Sequence, residues 1–222
     1  MFLSGLKKQI ILDLDGTLVD SLPDIAASLN YTTKELGFSE FSMEEVRGFV
    51  GDGVRALIQR AFPGDESIQK TSLGLFLKRY RAHLVDKTRP FPGVVKQLNA
   101  LKEAGFQMGV LSNKLQELSR RVVESFNGLR EPLSYVYGGD SFREKKPSPL
   151  PVREILKKWG GDFAVIVGDS PNDIRSGKGA GIRTIAVSYG FMPVKVLEDE
   201  NPDVLVDDPG QLSDAIFSLM KK

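Results

Sequence analysis

The 222-residue chain contains no cysteine and a single histidine, His83. The first absence excludes disulfide frameworks, thiolate zinc sites and a thiol nucleophile, and the second excludes metal motifs built on two histidines. An excess of charge is missing as well. Thirty Lys and Arg stand against 29 Asp and Glu, a net charge of +1, so the chain lacks the global basic field that draws nucleic acid. No run approaches the ~18 apolar residues of a transmembrane helix, and the start MFLSGLKKQIILDLDG has no extended apolar stretch of the secretory kind. No membrane association is expected, and the expected location is cytoplasmic. What remains is an ordinary globular composition, 41% hydrophobic and 27% charged, in a chain long enough to bury a full core. Its chemistry is left to carboxylates, hydroxyls and lysines.

Short apolar runs bounded by polar or glycine residues predict buried strands at 9–14, 107–111, 136–137, 164–167, 184–187 and 204–206. Helical spacing lies between most of them, as at 94–103 and 115–126, and a final amphipathic helix is expected around Ile216, Leu219 and Met220. Strands alternating with helices predict an α/β fold with a parallel sheet and right-handed crossovers. Between about Ser21 and Lys87 the alternation stops and only helical patterns appear, at Ile25, Leu29 and Leu36, at Val54, Leu57, Ile58 and Ala61, and from Leu73 to Leu84. The expected division is therefore a core of 1–19 and 88–222 with an inserted helical unit of 20–87. The crossing points fall near Asp20 and near Thr88 to Gly93, where Arg-Pro-Phe-Pro-Gly forms a stiff hinge.

Four segments carry polar groups at strand ends. IILDLDGTLVDS delivers Asp13 and Asp15 beyond an apolar strand, where ligands sit in open α/β sheets. Carboxylates at i and i+2 share a side of an extended chain, and their repulsion calls for a proton or a cation. With few nitrogen ligands in the chain, Mg²⁺ is the natural cation, because it takes hard oxygen ligands. VIVGDSPND offers Asp169 and Asp173 in the same way, VLSNK offers Ser112 and Asn113, and EKKPSPLP presents Lys145 and Lys146 among prolines. Taken singly, each also fits a blander role: a solvated acidic turn, a capped glycine turn, a polar turn, and a charged or polyproline loop.

In this order the four segments resemble the motifs of the haloacid dehalogenase superfamily of phosphohydrolases, over nearly the whole chain from Ile10 onward. Within it, DLDGTLVDS, the helical insertion after it, Gly138-Gly139-Asp140 and KKPSPLP look most like the phosphoglycolate phosphatase group. The resemblance implies a Rossmann-like core with an α-helical cap domain. It implies that Asp13 is the nucleophile, forming an aspartyl phosphate, and that Asp15 is the general acid and base. It also implies Ser112 and Lys146 on the phosphoryl oxygens, and Mg²⁺ held by Asp13, the main chain of Asp15, and Asp169. Thr17, Asn113 and Asp173 are expected in support, Thr17 through a hydrogen bond to Asp13 or as a purely structural turn residue.

The implied substrate is a small anionic phosphorylated metabolite, 2-phosphoglycolate foremost. A pyrophosphatase, or a sugar-phosphate phosphatase or mutase, would share the same core. A phospho-receiver switch also clusters aspartates with a hydroxyl and a lysine, but the acid Asp15 and the helical insert argue against it. Gly51-Asp52-Gly53-Val54-Arg55-Ala56 is the candidate cap loop, with Arg55 either an exposed helix residue, the favoured reading, or a carboxylate clamp. No dinucleotide is expected there, since a helical pattern and not a strand precedes these glycines.

Overall fold

The computed structural model describes residues 6–221, so the outermost bounds of the expected division, Met1 and Lys222, lie outside the described residues. From the N-terminal side, strand β1 (Lys8–Leu12) and a short β2 (Val19–Asp20) lead into helices α1 (Leu22–Glu35), α2 (Met43–Phe49), α3 (Val54–Ala61) and α4 (Glu66–Ala82). A second short strand, β3 (Arg89–Pro90), follows. The chain then alternates through α5 (Val94–Glu103), β4 (Gln107–Leu111), α6 (Gln116–Glu124), α7 (Asn127–Arg130) and β5 (Tyr135–Tyr137). It continues with α8 (Leu150–Trp159), β6 (Phe163–Gly168), α9 (Pro171–Ala180), β7 (Arg183–Val187), α10 (Val194–Glu198), β8 (Val204–Val206) and α11 (Leu212–Met220).

Among the described residues six strands form one parallel sheet in the order β5-β4-β1-β6-β7-β8. Ile10, Ile11 and Leu12 are consecutive and fully buried, which requires helices on both faces of the sheet. The fold is α/β and Rossmann-like, as expected. After β1 the chain builds the sheet outward on one side through β4 and β5, then returns to pair β6 on the other side of β1. This reversal opens a crevice at the carboxyl ends of β1, β4 and β6, the place where such sheets bind ligands. No helix among the described residues is long and apolar enough to cross a membrane.

Helices α1 to α4 occupy the stretch between the two short strands. Leu22, Ile25, Ala26 and Leu29 of α1 are buried with Val46, Leu57, Ile58, Phe76 and Tyr80 in one apolar cluster, which is continuous with the core of the sheet. Two features here differ from the sequence reading. Helix α4 begins at Glu66 and not near Leu73, because Asp65 caps it by accepting hydrogen bonds from the amides of Ser67 and Ile68. Helix α2, absent from that reading, opens with a capping box in which Ser42 and Glu45 bond each other's backbone amides.

The hinge segment proves to be an antiparallel ribbon in which Val19 pairs with Pro90 and Asp20 with Arg89. Two residues per strand carry no readable periodicity. The ribbon is reinforced by Asp24 of α1, a buried carboxylate that accepts hydrogen bonds from the amides of Lys87 and Thr88 and from the Thr88 hydroxyl. A buried ionised acceptor bonded this way is costly to remove, since its donors are left without partners. Asp24→Ala is expected to lose about 2–4 kcal/mol of stability, read as a lower denaturation midpoint in urea at unchanged slope. A loss below about half a kcal/mol would mean that the junction does not depend on this carboxylate.

Candidate active site

The site is assembled at the ends of three adjacent strands. The Asp13 amide donates to the Val167 carbonyl at 2.9 Å, carrying the β1–β6 ladder one residue beyond the strand and aiming the Asp13 side chain into the crevice. Asp169 follows β6, and Asp173 stands in the first turn of α9. Such close approach depends on glycine at two places. Gly16 has φ +83°, and a Cβ there would lie 2.1 Å from Asp169 Oδ2. A Cβ on Gly168 would lie 2.0 Å from Asp173 Cγ.

Carboxylate oxygens of Asp13, Asp169 and Asp173, all buried, lie within 4.8 Å of one another. One cation answers them. Lys146, 2% exposed, places Nζ 2.6 Å from Asp173 Oδ1 and 2.9 Å from Asp13 Oδ1. Both contacts are buried ion pairs, and that to Asp173 is an aligned hydrogen bond as well. Asp173 Oδ2 accepts from the amide and hydroxyl of Ser170, and Asp169 Oδ2 from the Phe191 amide.

Three carboxylates against one ammonium leave the cluster short of positive charge. Burial pushes Asp13 up to about 6, with Lys146 opposing and the Asp173 charge adding to the rise. Asp169 is likewise pushed well above the usual carboxylate range, by burial first and then by the charges of Asp13 and Asp173. Lys146 stays protonated, because Asp13 and Asp173 outweigh the burial that would otherwise lower it. A buried, crowded set of three carboxylates with a single ammonium to answer them fits a hard divalent cation.

Asp15 does not join this cluster with its side chain. Its oxygens turn to Lys114, 2.9 and 3.1 Å from Nζ, and Ser21 Oγ donates to Oδ1 at 2.5 Å. Lys114 was not singled out from the sequence, although it stands in VLSNK directly after Ser112 and Asn113. It also donates to the Tyr80 hydroxyl of α4 at 2.6 Å. Burial would lower Lys114, but Asp15 and Tyr80 prevail and hold it protonated; burial pushes Tyr80 up to about 12. Asp13, Asp15, Asp169, Ser112 and Lys114 line one pocket with Tyr80, and its remaining wall is largely apolar.

The other expected residues are placed as follows. Ser112 is buried at the end of β4 and lines the pocket. Asn113 donates from Nδ2 to the carbonyls of Gly51 and Lys146, each at 3.0 Å, tying the loop before α3 to the sheet edge. Asn172 adds a bond to Asp52 Oδ1 at 2.8 Å, a contact no local pattern announces. Thr17 is buried, but its hydroxyl has no partner among the described residues, so the expected hydrogen bond to Asp13 is not made. Gly51 and Gly53 line the pocket, whereas Arg55 is exposed and outside it, which removes Arg55 as a clamp.

The family of haloacid dehalogenase-like hydrolases matches residues 10–187. The chain is 40% identical over 205 residues to a phosphoglycolate phosphatase of Aquifex aeolicus, covering 91% of this chain and 93% of the relative. It is 35% identical over 218 residues to a phosphoglycolate phosphatase of Agrobacterium fabrum, covering 93% and 91%. A crystal structure described as a predicted phosphoglycolate phosphatase from Haemophilus somnus superposes with a TM-score of 0.87 at 31% identity, covering 94% of this chain and 97% of that one.

The Asp13 environment has a measurable consequence. In an unfolded chain Asp13 ionises near 3.8 and in the folded protein near 6, so between these values the folded state holds the extra proton and stability falls as pH rises. Above that window the penalty is present in full. In chelator at about pH 8, Asp13→Asn is expected to melt at least ~2–4 °C above the parent protein, with the gap closing towards about pH 4. Equal calorimetric melting temperatures across the range would show that the ionised carboxylate carries no such cost.

Proposed function

Because the chain belongs to the family of haloacid dehalogenase-like hydrolases, we propose that it hydrolyses small phosphomonoesters through an aspartyl phosphate on Asp13, with 2-phosphoglycolate as the foremost substrate. The observation that carries this reading is Asp13, a buried carboxylate that pairs with Lys146 and lines the pocket that also holds Asp15 and Ser112. The relatives named above support the choice of substrate.

In the first step an Asp13 oxygen attacks phosphorus, the bond from phosphorus to the leaving oxygen breaks, and Asp15 gives that oxygen a proton. Water then attacks the phosphoryl group on Asp13 while Asp15 takes its proton, releasing inorganic phosphate and restoring the Asp13 carboxylate and the protonated Asp15. Ser112 and Lys146 stabilise the equatorial phosphoryl oxygens, a task of positioning and charge compensation. Asp173 holds Lys146 from its other side. Asp13 and Asp169 would hold Mg²⁺, with Asp173 adjoining them and the main chain of Asp15 as a further ligand. Bound there, Mg²⁺ supplies the positive charge the carboxylate cluster lacks and offsets the charge of the phosphoryl group.

The segment 20–87 acts as a cap on a core of 1–19 and 88–222, and the loop at Gly51 to Gly53 closes the pocket against water. Asp15 within the pocket favours turnover over a receiver switch, which stores its phosphoryl group and needs no acid for a leaving group.

The test is phosphate release from 2-phosphoglycolate, pyrophosphate and several sugar phosphates, with and without Mg²⁺. Release from 2-phosphoglycolate is expected to be fastest and to stop in chelator. Asp13→Asn is expected to abolish it, and Ser112→Ala to slow it about 10²–10³-fold. Faster release from another ester would overturn the substrate and keep the chemistry; undiminished turnover by Asp13→Asn would overturn the chemistry.

A further inference from the structure

The mechanism above uses Asp15 but leaves a buried ammonium beside it without a task. Lys114 is 8% exposed, and its Nζ contacts both oxygens of Asp15 and the hydroxyl of Tyr80. An ammonium has three donors, and these contacts account for them. Stability alone does not explain the arrangement, because a buried ion pair is often matched or bettered by apolar side chains of similar volume. Its geometric effect is specific. Two contacts from Nζ and one from Ser21 restrain both oxygens of Asp15, so the carboxylate cannot rotate without breaking at least one of them.

The partners come from different parts of the chain. Asp15 and Lys114 stand on loops at the carboxyl edge of the sheet, whereas Tyr80 belongs to α4, in the helical stretch between β2 and β3. The Tyr80 oxygen accepts from Lys114, and the ammonium lies 4.8 Å from the centre of the Tyr80 ring. Lys114 therefore has its full set of partners only while α4 lies over the site.

We propose that Lys114 is a positioning residue for Asp15: it holds the carboxylate facing the leaving oxygen, and Tyr80 makes that hold depend on α4 being closed over the pocket. The inference rests on the function proposed above, in which Asp15 protonates the leaving group. It competes with one simpler role. Lys114 is the sole cationic side chain among the described residues lining the pocket, so an acidic leaving group would find its counter-charge there.

Leaving groups of different basicity separate these roles, since p-nitrophenolate departs without a proton whereas an alkoxide needs one. Single-turnover release of the leaving group is measured with p-nitrophenyl phosphate, ethyl phosphate and 2-phosphoglycolate. The proteins are the parent, Asp15→Asn, Lys114→Met, Lys114→Arg and Tyr80→Phe. Asp15→Asn and Lys114→Met are expected to slow release from both alkyl esters by about 10²-fold, with KM nearly unchanged, and from p-nitrophenyl phosphate by less than ~3-fold. Lys114→Arg should recover most of the loss, and Tyr80→Phe should show the same selectivity in smaller degree.

An equal loss on all three esters, or a loss confined to KM for 2-phosphoglycolate, would overturn the proposal while leaving the hydrolase intact. If Lys114→Met does not fold, Lys114→Arg and Tyr80→Phe decide: rates like the parent's on ethyl phosphate for Tyr80→Phe would overturn the link to α4, and an unselective loss for Lys114→Arg would overturn the positioning role. Should Asp15→Asn itself show no dependence on the leaving group, the acid assigned in the mechanism fails, and this inference with it.

Discussion

Three carboxylates and one ammonium share a buried volume at the carboxyl edge of the sheet, and the surrounding structure is arranged around holding them there. Like charges in a desolvated place repel, and water is not available to screen them. The protein meets this with partial compensation. Lys146 is shared between Asp13 and Asp173, the amide and hydroxyl of Ser170 donate to the far oxygen of Asp173, and the Phe191 amide donates to Asp169. None of these removes the deficit, and burial first, with the Asp173 charge adding to it, raises the affinity of Asp13 for a proton. A surplus of negative charge that the fold leaves uncancelled is what a site for a cation and a phosphoryl group requires.

That surplus explains features that would otherwise look unconnected. The parallel sheet brings the ends of β1 and β6 side by side, which no antiparallel pairing would do with both aspartates at the same edge. Glycine at 16 and 168 admits carboxylates at distances that a methyl group would forbid. The second ion pair, between Asp15 and Lys114, keeps a fourth carboxylate near the cluster with a counter-ion of its own. Through Tyr80 this pair also reaches α4, so the electrostatics of the sheet edge and the packing of the helical segment meet at one ammonium.

Much of this was legible in the chain. The apolar runs ending in Asp13, Ser112 and Asp169 announce strands that carry polar groups to one edge, and the structure places those residues around one pocket. Lys146 and Asp173 were expected nearby, and they lie within hydrogen-bonding distance of each other. Legibility failed where a contact has no local signature. Lys114 reads as one of many lysines until the fold delivers Asp15 and Tyr80 to it from 99 and 34 residues away. Thr17 was expected either to bond Asp13 or to serve the turn alone, and its buried hydroxyl, without a partner among the described residues, leaves the second reading.

By itself the sequence determined the α/β class, the parallel order of strand and helix, the helical interruption after the first strand, and which residue types stand at strand ends. These follow from periodicity and from glycine, proline and aspartate at fixed offsets, properties of a few neighbouring residues. Only the tertiary structure decided which carboxylates share a volume, which of them a lysine neutralises, and which is left in deficit. The same holds for the β2–β3 ribbon, the Asp24 fastening and the Tyr80–Lys114–Asp15 contact. Each depends on burial and on distances between segments remote in the chain. Coulombic and hydrogen-bonding energies act across space and vary with desolvation, and neither distance nor desolvation is written in local sequence.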